Sequence, residues 1–289
     1  MNLEKWQALG NDYVILEDRA LPFELTANRI RRLCDPHFGV GSDGILLLSE
    51  PTGGAAPAGT GCVAKLRIFN PDGSESDLSG NGAREAILYL RRAGWTAQDS
   101  FQIQTDAGLI DATITSATTC TVKLGRARLT SDDYPSGAAD GRGELIAGGR
   151  VWAFRHVHVG NPQCSIEVHD DDELQALDLQ CLGPPIENSE LFPNRTNVSW
   201  FVANSPGVVR ARIFERGVGE TTASGTGATG AAVAHVLSGG SSPVTVHLDG
   251  GELTVEINQD LDIKLTGWAM PVFRGTLSAE LTEELHATE

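Results

Sequence analysis

An internal repeat constrains the fold of this chain more than any other feature of its sequence. When the sequence is shifted by 145 positions, KLRIFNPDGSESDLSGNGA (65–83) aligns with RARIFERGVGETTASGTGA (210–228). Eight of the seventeen positions from Arg67 to Ala83 are identical in the two copies. Each copy reads as a strand, a glycine-rich turn and a helix that begins just after a serine. We therefore expect two copies of one α+β domain.

Weaker matches flank this block in the same order. Gly10-Asn11 resembles Gly160-Asn161 at an offset of 150, and FQIQTDAGLIDATI (101–114) resembles VTVHLDGGELTVEI (244–257) at an offset of 143. A chain of 289 residues is long enough for two domains that each bury a core. The repeat therefore extends over most of both predicted domains.

The expected N-terminal domain covers residues 1–130 together with a C-terminal strand in 272–289, and the second domain covers residues 150–271. Between them, SDDYPSGAADGRGELIAGG (131–149) is interpreted as a linker, and PTGGAAPAGTG (51–61) as a loop, because both are rich in glycine and small residues. Periodicity predicts helices over about 26–34, 82–93, 171–177 and 227–238. Short apolar or alternating runs predict strands, including VKLGRARL, VRARIF, VTVHL, LTVEI and LDIKLTG.

Composition argues against two classes of partner. The net charge of −16 argues against nucleic acid or an anionic membrane, because phosphate contacts need clustered lysine and arginine. No apolar run approaches the ~18 residues of a membrane span, and the N-terminus lacks the pattern of a secretory signal, so we expect a cytoplasmic protein. The five cysteines are odd in number and lack CxxC spacing, which favours free thiols over a zinc site.

The two serines that precede the repeated helices are candidate functional residues. Ser79 and Ser224 are each followed by Gly-x-Gly at a helix start, where free backbone N–H groups and the helix dipole favour an anion. Two such starts facing each other would hold one carboxylate between them. The alternative is that both serines are ordinary helix caps. A phosphate-binding loop is a poor alternative, because neither turn continues into Gly-Lys-Ser/Thr.

Seven motifs in order resemble those of the diaminopimelate epimerase family: LGNDYV, RIFNPDGSE, GNGAR, VGNPQC, RTNV, FERGVGET and SGTGA. The resemblance runs from Asn11 to about Phe273. It implies two pseudo-symmetric α+β domains, each a strand barrel around a central helix, with the active site in the cleft between them. It also implies an amino-acid isomerase that needs neither pyridoxal phosphate nor a metal. In the family, one cysteine from each domain faces the substrate α-carbon, and the two thiols invert it.

The substrate-binding positions of the family carry over by motif. The resemblance assigns side chains that hold the two amino-carboxylate ends of the substrate, and helix-start residues that hold the reacting carboxylate. The side chains are Asn11, Asn70, Asn161, Asn197, Glu215 and Arg216. The helix-start residues are Gly80, Asn81, Gly225 and Thr226. An arginine suits a carboxylate because its guanidinium can donate two parallel hydrogen bonds.

The catalytic positions differ from the family pattern. Ser79 and Ser224 occupy the positions of the two cysteines, and Gln163 that of an assisting histidine, whereas Glu215 remains at the second assisting position. Glu85 also stands where the family often has a further cysteine. A free thiol has a pKa of about 8.5, whereas an alkyl hydroxyl is closer to water at about 15.7. The gap of about 7 units corresponds to about 9 to 10 kcal/mol in forming the base. We therefore expect the family's two-base racemisation to be nearly lost.

Three functions remain open on the sequence alone. The chain is an isomerase that has diverged to other α-proton chemistry on diaminopimelate or a related amino acid, an epimerase with cysteines mutated to serine, or a non-catalytic amino-acid-binding protein. The family resemblance also predicts a homodimer, because MPVFRG (270–275) resembles the C-terminal strand that carries an aromatic dimer contact, here Phe273. The alternative is that Phe273 is an inward-facing strand residue.

Overall fold

The computed structural model describes residues 1–52, 61–76 and 78–288, so the predicted loop at 51–61 lies largely outside the described residues. The chain forms two compact units. Unit 1 comprises Met1–Val122 and Gly267–Glu289, and unit 2 comprises Lys123–Thr266.

The described residues form six α-helices and eighteen strands. The helices are α1 (Ala27–Cys34), α2 (Gly80–Arg92), α3 (Asp171–Ala176), α4 (Leu179–Glu187), α5 (Gly225–Leu237) and α6 (Ala279–Ala287). The first nine strands are β1 (Asn2–Ala8), β2 (Asn11–Glu17), β3 (Ile45–Ser49), β4 (Cys62–Phe69), β5 (Glu75–Ser76), β6 (Ser100–Thr105), β7 (Gly108–Ile114), β8 (Thr119–Arg126) and β9 (Arg142–Ala147). The remaining strands are β10 (Arg150–His158), β11 (Pro162–Glu167), β12 (Asn197–Ser205), β13 (Val208–Glu215), β14 (Gly219–Thr221), β15 (Val244–Leu248), β16 (Gly251–Ile257), β17 (Asp262–Trp268) and β18 (Met270–Thr276).

The two units share one strand connectivity. In unit 1, β18, β1, β2, β3, β4, β6, β7 and β8 pair in that order, and only β2–β3 and β4–β6 are parallel. In unit 2, β9, β10, β11, β12, β13, β15, β16 and β17 pair in the same way, and only β11–β12 and β13–β15 are parallel. The short strands β5 and β14 pair with β4 and β13. The predicted α+β fold with a repeated domain is confirmed.

A buried helix of 13 residues lies at the centre of each unit. Helix α2 packs on β1, β2, β3, β4 and β7, and α5 packs on β10, β11, β12, β13, β15 and β16. Alanine, glycine and valine cover every face of α5, as is usual for a helix that strands surround. Both helices begin at the glycine after the serine, two residues earlier than predicted.

Two parts of the sequence-based assignment were wrong. The predicted linker at 131–149 contains β9, which pairs with β10 through a Gly148-Gly149 turn whose residues both have positive φ. Gly-Gly between two apolar runs favours a tight hairpin, and this signal was overlooked.

Helix α4 was missed because it contains Pro184 and Pro185, and α6 was also missed. Of the helices described, none is long and apolar enough to cross a membrane.

Candidate functional site

In unit 1, Ser79 is the N-cap of α2, and its Oγ accepts the backbone N–H of Gly82 at 3.1 Å. The hydroxyl of Tyr13 also donates to Ser79 Oγ at 3.3 Å. Tyr13 is 6% exposed and lies on β2, two residues after Asn11 and therefore on the same face of the strand. Ser79 is thus both a cap, as the simpler interpretation had it, and the partner of a buried phenol.

A hydrogen-bond chain connects the start of α2 to the start of β2. Asn81 Nδ2 donates to Asn11 Oδ1 at 3.2 Å, and Asn11 Nδ2 donates to Asp43 at 2.9 Å. The guanidinium of Arg84 donates to Asn81 Oδ1 at 2.6 Å and to the Gly80 carbonyl at 2.9 Å. Asn70 lies apart from this chain and bonds to Ser74 in the turn after β4. Three of the four binding residues predicted in this unit are therefore brought together.

Helix α2 also buries two charged side chains that the sequence analysis did not place in the site. Arg84 and Glu85 are both 0% exposed. Burial raises the pKa of Glu85 well above its usual range, and Arg84 lowers it by less. Neither carboxyl oxygen of Glu85 has a hydrogen-bond partner of good geometry among the described residues. Burial therefore favours the protonated form of Glu85 more than that of an exposed carboxyl group.

In unit 2, Ser224 is the N-cap of α5, and its Oγ accepts the backbone N–H of Gly227 at 3.2 Å. Ser224 Oγ donates to Glu215 Oε2 at 3.0 Å, and Thr221 donates to the other carboxyl oxygen at 2.8 Å. Burial raises the pKa of Glu215, whereas the bonds from Thr221 and Ser224 lower it by less. A carboxylate with a raised pKa in contact with a hydroxyl can serve as a general base near neutral pH.

Five other predicted residues of unit 2 form one hydrogen-bonded chain of three residues and one hydrogen-bonded pair. Gln163 Nε2 donates to Asn161 Oδ1 at 2.6 Å, and Asn161 Nδ2 donates to Thr226 at 3.3 Å. Asn197, whose Oδ1 accepts the backbone N–H of Arg216 at 2.9 Å, pairs in register with Gln163.

Gln163 is 0% exposed, and its Oε1 has no hydrogen-bond partner in the part of the chain that the structure describes. The neighbouring Cys164 is fully buried in the apolar core. Gln163 therefore leaves one acceptor available beside the start of α5.

Sequence reasoning missed Tyr13 and Thr221, which contact Ser79 and Glu215. A signal for Tyr13 was present, because the offset of 150 that aligns Asn11 with Asn161 also aligns Tyr13 with Gln163. Thr221 precedes Ser224 by three residues, but nothing in the sequence indicates that it faces Glu215.

The family model for diaminopimelate epimerase matches residues 4–130 and 155–270, which is most of the chain. The chain belongs to the diaminopimelate epimerase family. A diaminopimelate epimerase from Synechococcus sp. (strain JA-3-3Ab) is 37% identical over 285 residues, covering 96% of this chain and 98% of that protein. One from Desulfitobacterium hafniense (strain DSM 10664 / DCB-2) is 36% identical over 288 residues, covering 96% and 98%.

Solved structures agree on the fold. The probable proline racemase from Agrobacterium radiobacter K84 superposes with a TM-score of 0.69 at 12% identity, covering 96% of this chain and 93% of that one. An identity this low supports the fold alone. Membership of the diaminopimelate epimerase family, together with this fold, indicates that the chain is an isomerase of the epimerase and racemase type.

Proposed function

We propose that this protein is a cofactor-independent isomerase that moves the α-proton of diaminopimelate or a related amino acid and has diverged from the two-cysteine mechanism. The contact between Ser224 and the half-buried Glu215 supports this proposal most directly. The carboxylate of Glu215 provides the Ser224 hydroxyl with a general base. A thiol at the same position would need only slight assistance, because it ionises more readily than a hydroxyl.

The carboxylate of the substrate binds at the starts of the central helices. The backbone N–H groups of Gly80-Asn81 and Gly225-Thr226 have no intrahelical partner, and the helix dipoles add positive potential there. The Asn161 amide, already bonded to Thr226, and the Arg216 guanidinium hold the polar ends of the amino acid. A second polar end on the substrate is required in this scheme because the asparagines and the arginine together offer more donors than one carboxylate can accept.

Proton transfer passes through the serine hydroxyls without forming a free alkoxide. As Ser224 Oγ takes the α-proton, its own proton moves to Glu215, so the final base is a carboxylate with a raised pKa. On the opposite face of the α-carbon, the Tyr13 phenol delivers a proton through Ser79 Oγ. An ordinary phenol has a pKa of about 10, so it is a far stronger acid than an alcohol. Inversion is slow because neither relay equals a thiolate.

Two other functions remain alternatives to this proposal. An epimerase inactivated by two engineered serines would keep the family residues at positions 163 and 85, where this chain has Gln163 and Glu85. A non-catalytic amino-acid-binding protein would not need the hydrogen bond between Ser224 and the half-buried Glu215. Both alternatives predict binding without exchange of the α-proton.

A homodimer is part of the proposal. Strand β18 exposes three apolar side chains, and Phe273 is 44% exposed rather than inward-facing. The other two are Met270 at 43% and Val272 at 54%. Light scattering at micromolar concentration is expected to give the mass of a dimer, and Phe273→Glu to give a monomer. A wild-type monomer would contradict this part.

Calorimetry with diaminopimelate, combined with deuterium wash-in at the α-carbon in heavy water, tests the function. We expect binding together with slow wash-in, and loss of wash-in but not of binding in a Ser79→Ala, Ser224→Ala variant. Binding without any wash-in would favour the binder or the inactivated epimerase. Wash-in that survives the double change would show that another group contacts the α-carbon, and absence of binding would refute the amino-acid site.

A further inference from the structure

A cavity lies within unit 2 and involves none of the residues of the proposed active site. Its volume is about 670 Å³, and it opens where β9, β10 and β11 meet the C-terminal end of α5. The polar side chains on its wall are Arg142, Glu144, Arg155, Ser165, Glu167 and Ser238.

Arg155 is a buried cation without a carboxylate partner. It is 7% exposed, and its one hydrogen bond is to the Asp140 carbonyl at 2.7 Å. Within the described ranges no Asp or Glu oxygen lies within 4.0 Å of its guanidinium. Burial lowers the pKa of Arg155, and the neighbouring Arg142 adds to this. Since a buried charge is costly unless it is paired, an anion at this position would be stabilising.

Ser165 lies directly across from Arg155 in the β10–β11 register, so the two side chains point to the same face. Ser165 is 2% exposed, and its Oγ lacks a hydrogen-bond partner in the described part of the chain. Arg155 therefore lacks a carboxylate partner, and Ser165 lacks a hydrogen-bond partner for its hydroxyl among the described residues; both lie on the cavity wall. A carboxylate could accept from both.

The corresponding place in unit 1 is filled by side chains. At the offset of 145, Ala234 on the cavity wall corresponds to Tyr89, whose ring packs edge-on against Trp6 at 6.3 Å. At the offset of 150 that aligns Asn11 with Asn161, Ser165 corresponds to Ile15, and the cross-strand partner of Ile15 is Glu4. Glu4 is itself paired, with Trp6 at 2.9 Å and with Arg274. Unit 1 thus has two aromatic rings and a satisfied ion pair where unit 2 has a cavity and an unpaired cation.

We propose that this cavity binds a small zwitterion, namely a free amino acid. Its carboxylate accepts from Arg155 and Ser165, and its ammonium lies between Glu144 and Glu167 at the rim. These two acids face the cavity because each lies two residues along the strands from the inner pair: Glu167 follows Ser165, and Glu144 pairs with Ala153 beside Arg155. Two arginines and two glutamates give the wall no net charge, which suits a dipolar ligand better than an anion or a cation.

Three probes of matched size test both halves of the recognition: L-alanine, propionate without the ammonium, and ethylamine without the carboxylate. Each is titrated into the ¹⁵N-labelled full chain while the amides of β9 and β10 are followed by NMR. We expect saturable shifts with L-alanine at a dissociation constant of about 1 mM or below. Propionate should bind at least about tenfold more weakly, as one lost charged contact requires, and ethylamine should not bind.

Arg155→Met, which keeps the length of the side chain and removes its charge, should abolish these shifts. Ala153→Trp, at an exposed position on the rim, should block the cavity without disturbing the core, so it tests the site even if Arg155→Met does not fold. Shifts that persist in Ala153→Trp, equal binding of propionate, or no saturable shift at tens of millimolar L-alanine would each overturn the proposal. None of these residues belongs to the proposed active site, so failure here leaves that proposal intact.

Discussion

The N-terminus of α2 in unit 1 and that of α5 in unit 2 have the same Ser-Gly-x-Gly sequence and the same cap hydrogen bond, at 3.1 and 3.2 Å. The groups beside the two serines differ. A phenol donates to Ser79, whereas Ser224 donates to a carboxylate. The repeat thus keeps the backbone that favours an anion and varies the side chains that could move a proton.

The same contrast continues one turn further into each helix. Glu85 in α2 corresponds to Gly230 in α5, and Tyr13 on β2 corresponds to Gln163 on β11. A Cβ on Gly230 would lie 2.8 Å from Cβ and 3.0 Å from Cγ of Gln163. In unit 1 the buried polar side chain of Glu85 therefore extends from the helix, whereas in unit 2 the buried polar side chain of Gln163 extends from the strand. Glycine in α5 is what makes room for Gln163.

Restoring thiols at both helix starts should have the largest effect on the rate of epimerisation. It gives both units the same reacting group in place of two different relays. In Ser79→Cys, Ser224→Cys, Gln163→His, the base is a thiolate instead of a relay through an alcohol, which recovers part of a gap of about 9 to 10 kcal/mol. We expect epimerisation of diaminopimelate to rise at least about 100-fold, measured by chiral chromatography of the stereoisomers. An unchanged rate would mean that the cleft has been reshaped for another reaction.

Gly230→Ala should sharpen the comparison at the level of packing. The added methyl group forces Gln163 or α5 to move, and overpacking of a buried site costs about 1 to 3 kcal/mol. Urea unfolding should show this loss in the free energy of unfolding of Gly230→Ala. The loss should be smaller when Gln163→Ala is also present, because the contact to Cγ is then absent. Additive effects of the two changes would show that the helix and the strand do not compete for this space.

Glu85→Gln tests the buried acid of unit 1 through the pH dependence of stability. Because the folded-state pKa of Glu85 is raised, the wild type loses stability as pH rises above the unfolded pKa of about 4.3 and through the folded value. The variant should therefore gain melting temperature over the wild type at pH 8 but not at pH 4.

Glu284→Gln is the control of opposite sign. The hydrogen bond from Arg32 lowers the pKa of Glu284, so its contribution to stability is present above the unfolded pKa and is lost as pH falls. This variant should lose stability at pH 8 and little at pH 4. The same sign in both variants would contradict the raised pKa of the buried Glu85.

Much of the fold followed from the sequence because the repeat and the alternating strands are local patterns. The strand VTVHL occupies the predicted residues, and both central helices begin within two residues of the prediction. Helix α4 was not predictable from propensity, since two prolines lie inside it and burial of Leu179 and Ile186 outweighs their cost.

The candidate binding residues were assigned from motif order, whereas two hydrogen-bond contacts of the serines, Tyr13 with Ser79 and Glu215 with Ser224, were not predicted. Tyr13 lies 66 positions from Ser79, and only strand pairing and helix packing bring the two hydroxyls to 3.3 Å. Glu215 was assigned by motif, but its contact with Ser224 and its raised pKa depend on burial that no local pattern encodes.

The most direct test of the account measures α-deuterium wash-in from each stereoisomer separately, because the two units are proposed to address opposite faces of the α-carbon. Initial rates are compared for L,L- and meso-diaminopimelate in the wild type, Glu215→Gln and Tyr13→Phe, with calorimetry to confirm that each variant still binds. The account predicts that Glu215→Gln and Tyr13→Phe each suppress exchange chiefly from one configuration, and from opposite ones. The account would be contradicted if both variants suppressed exchange from the same configuration, or if neither variant suppressed exchange from any configuration.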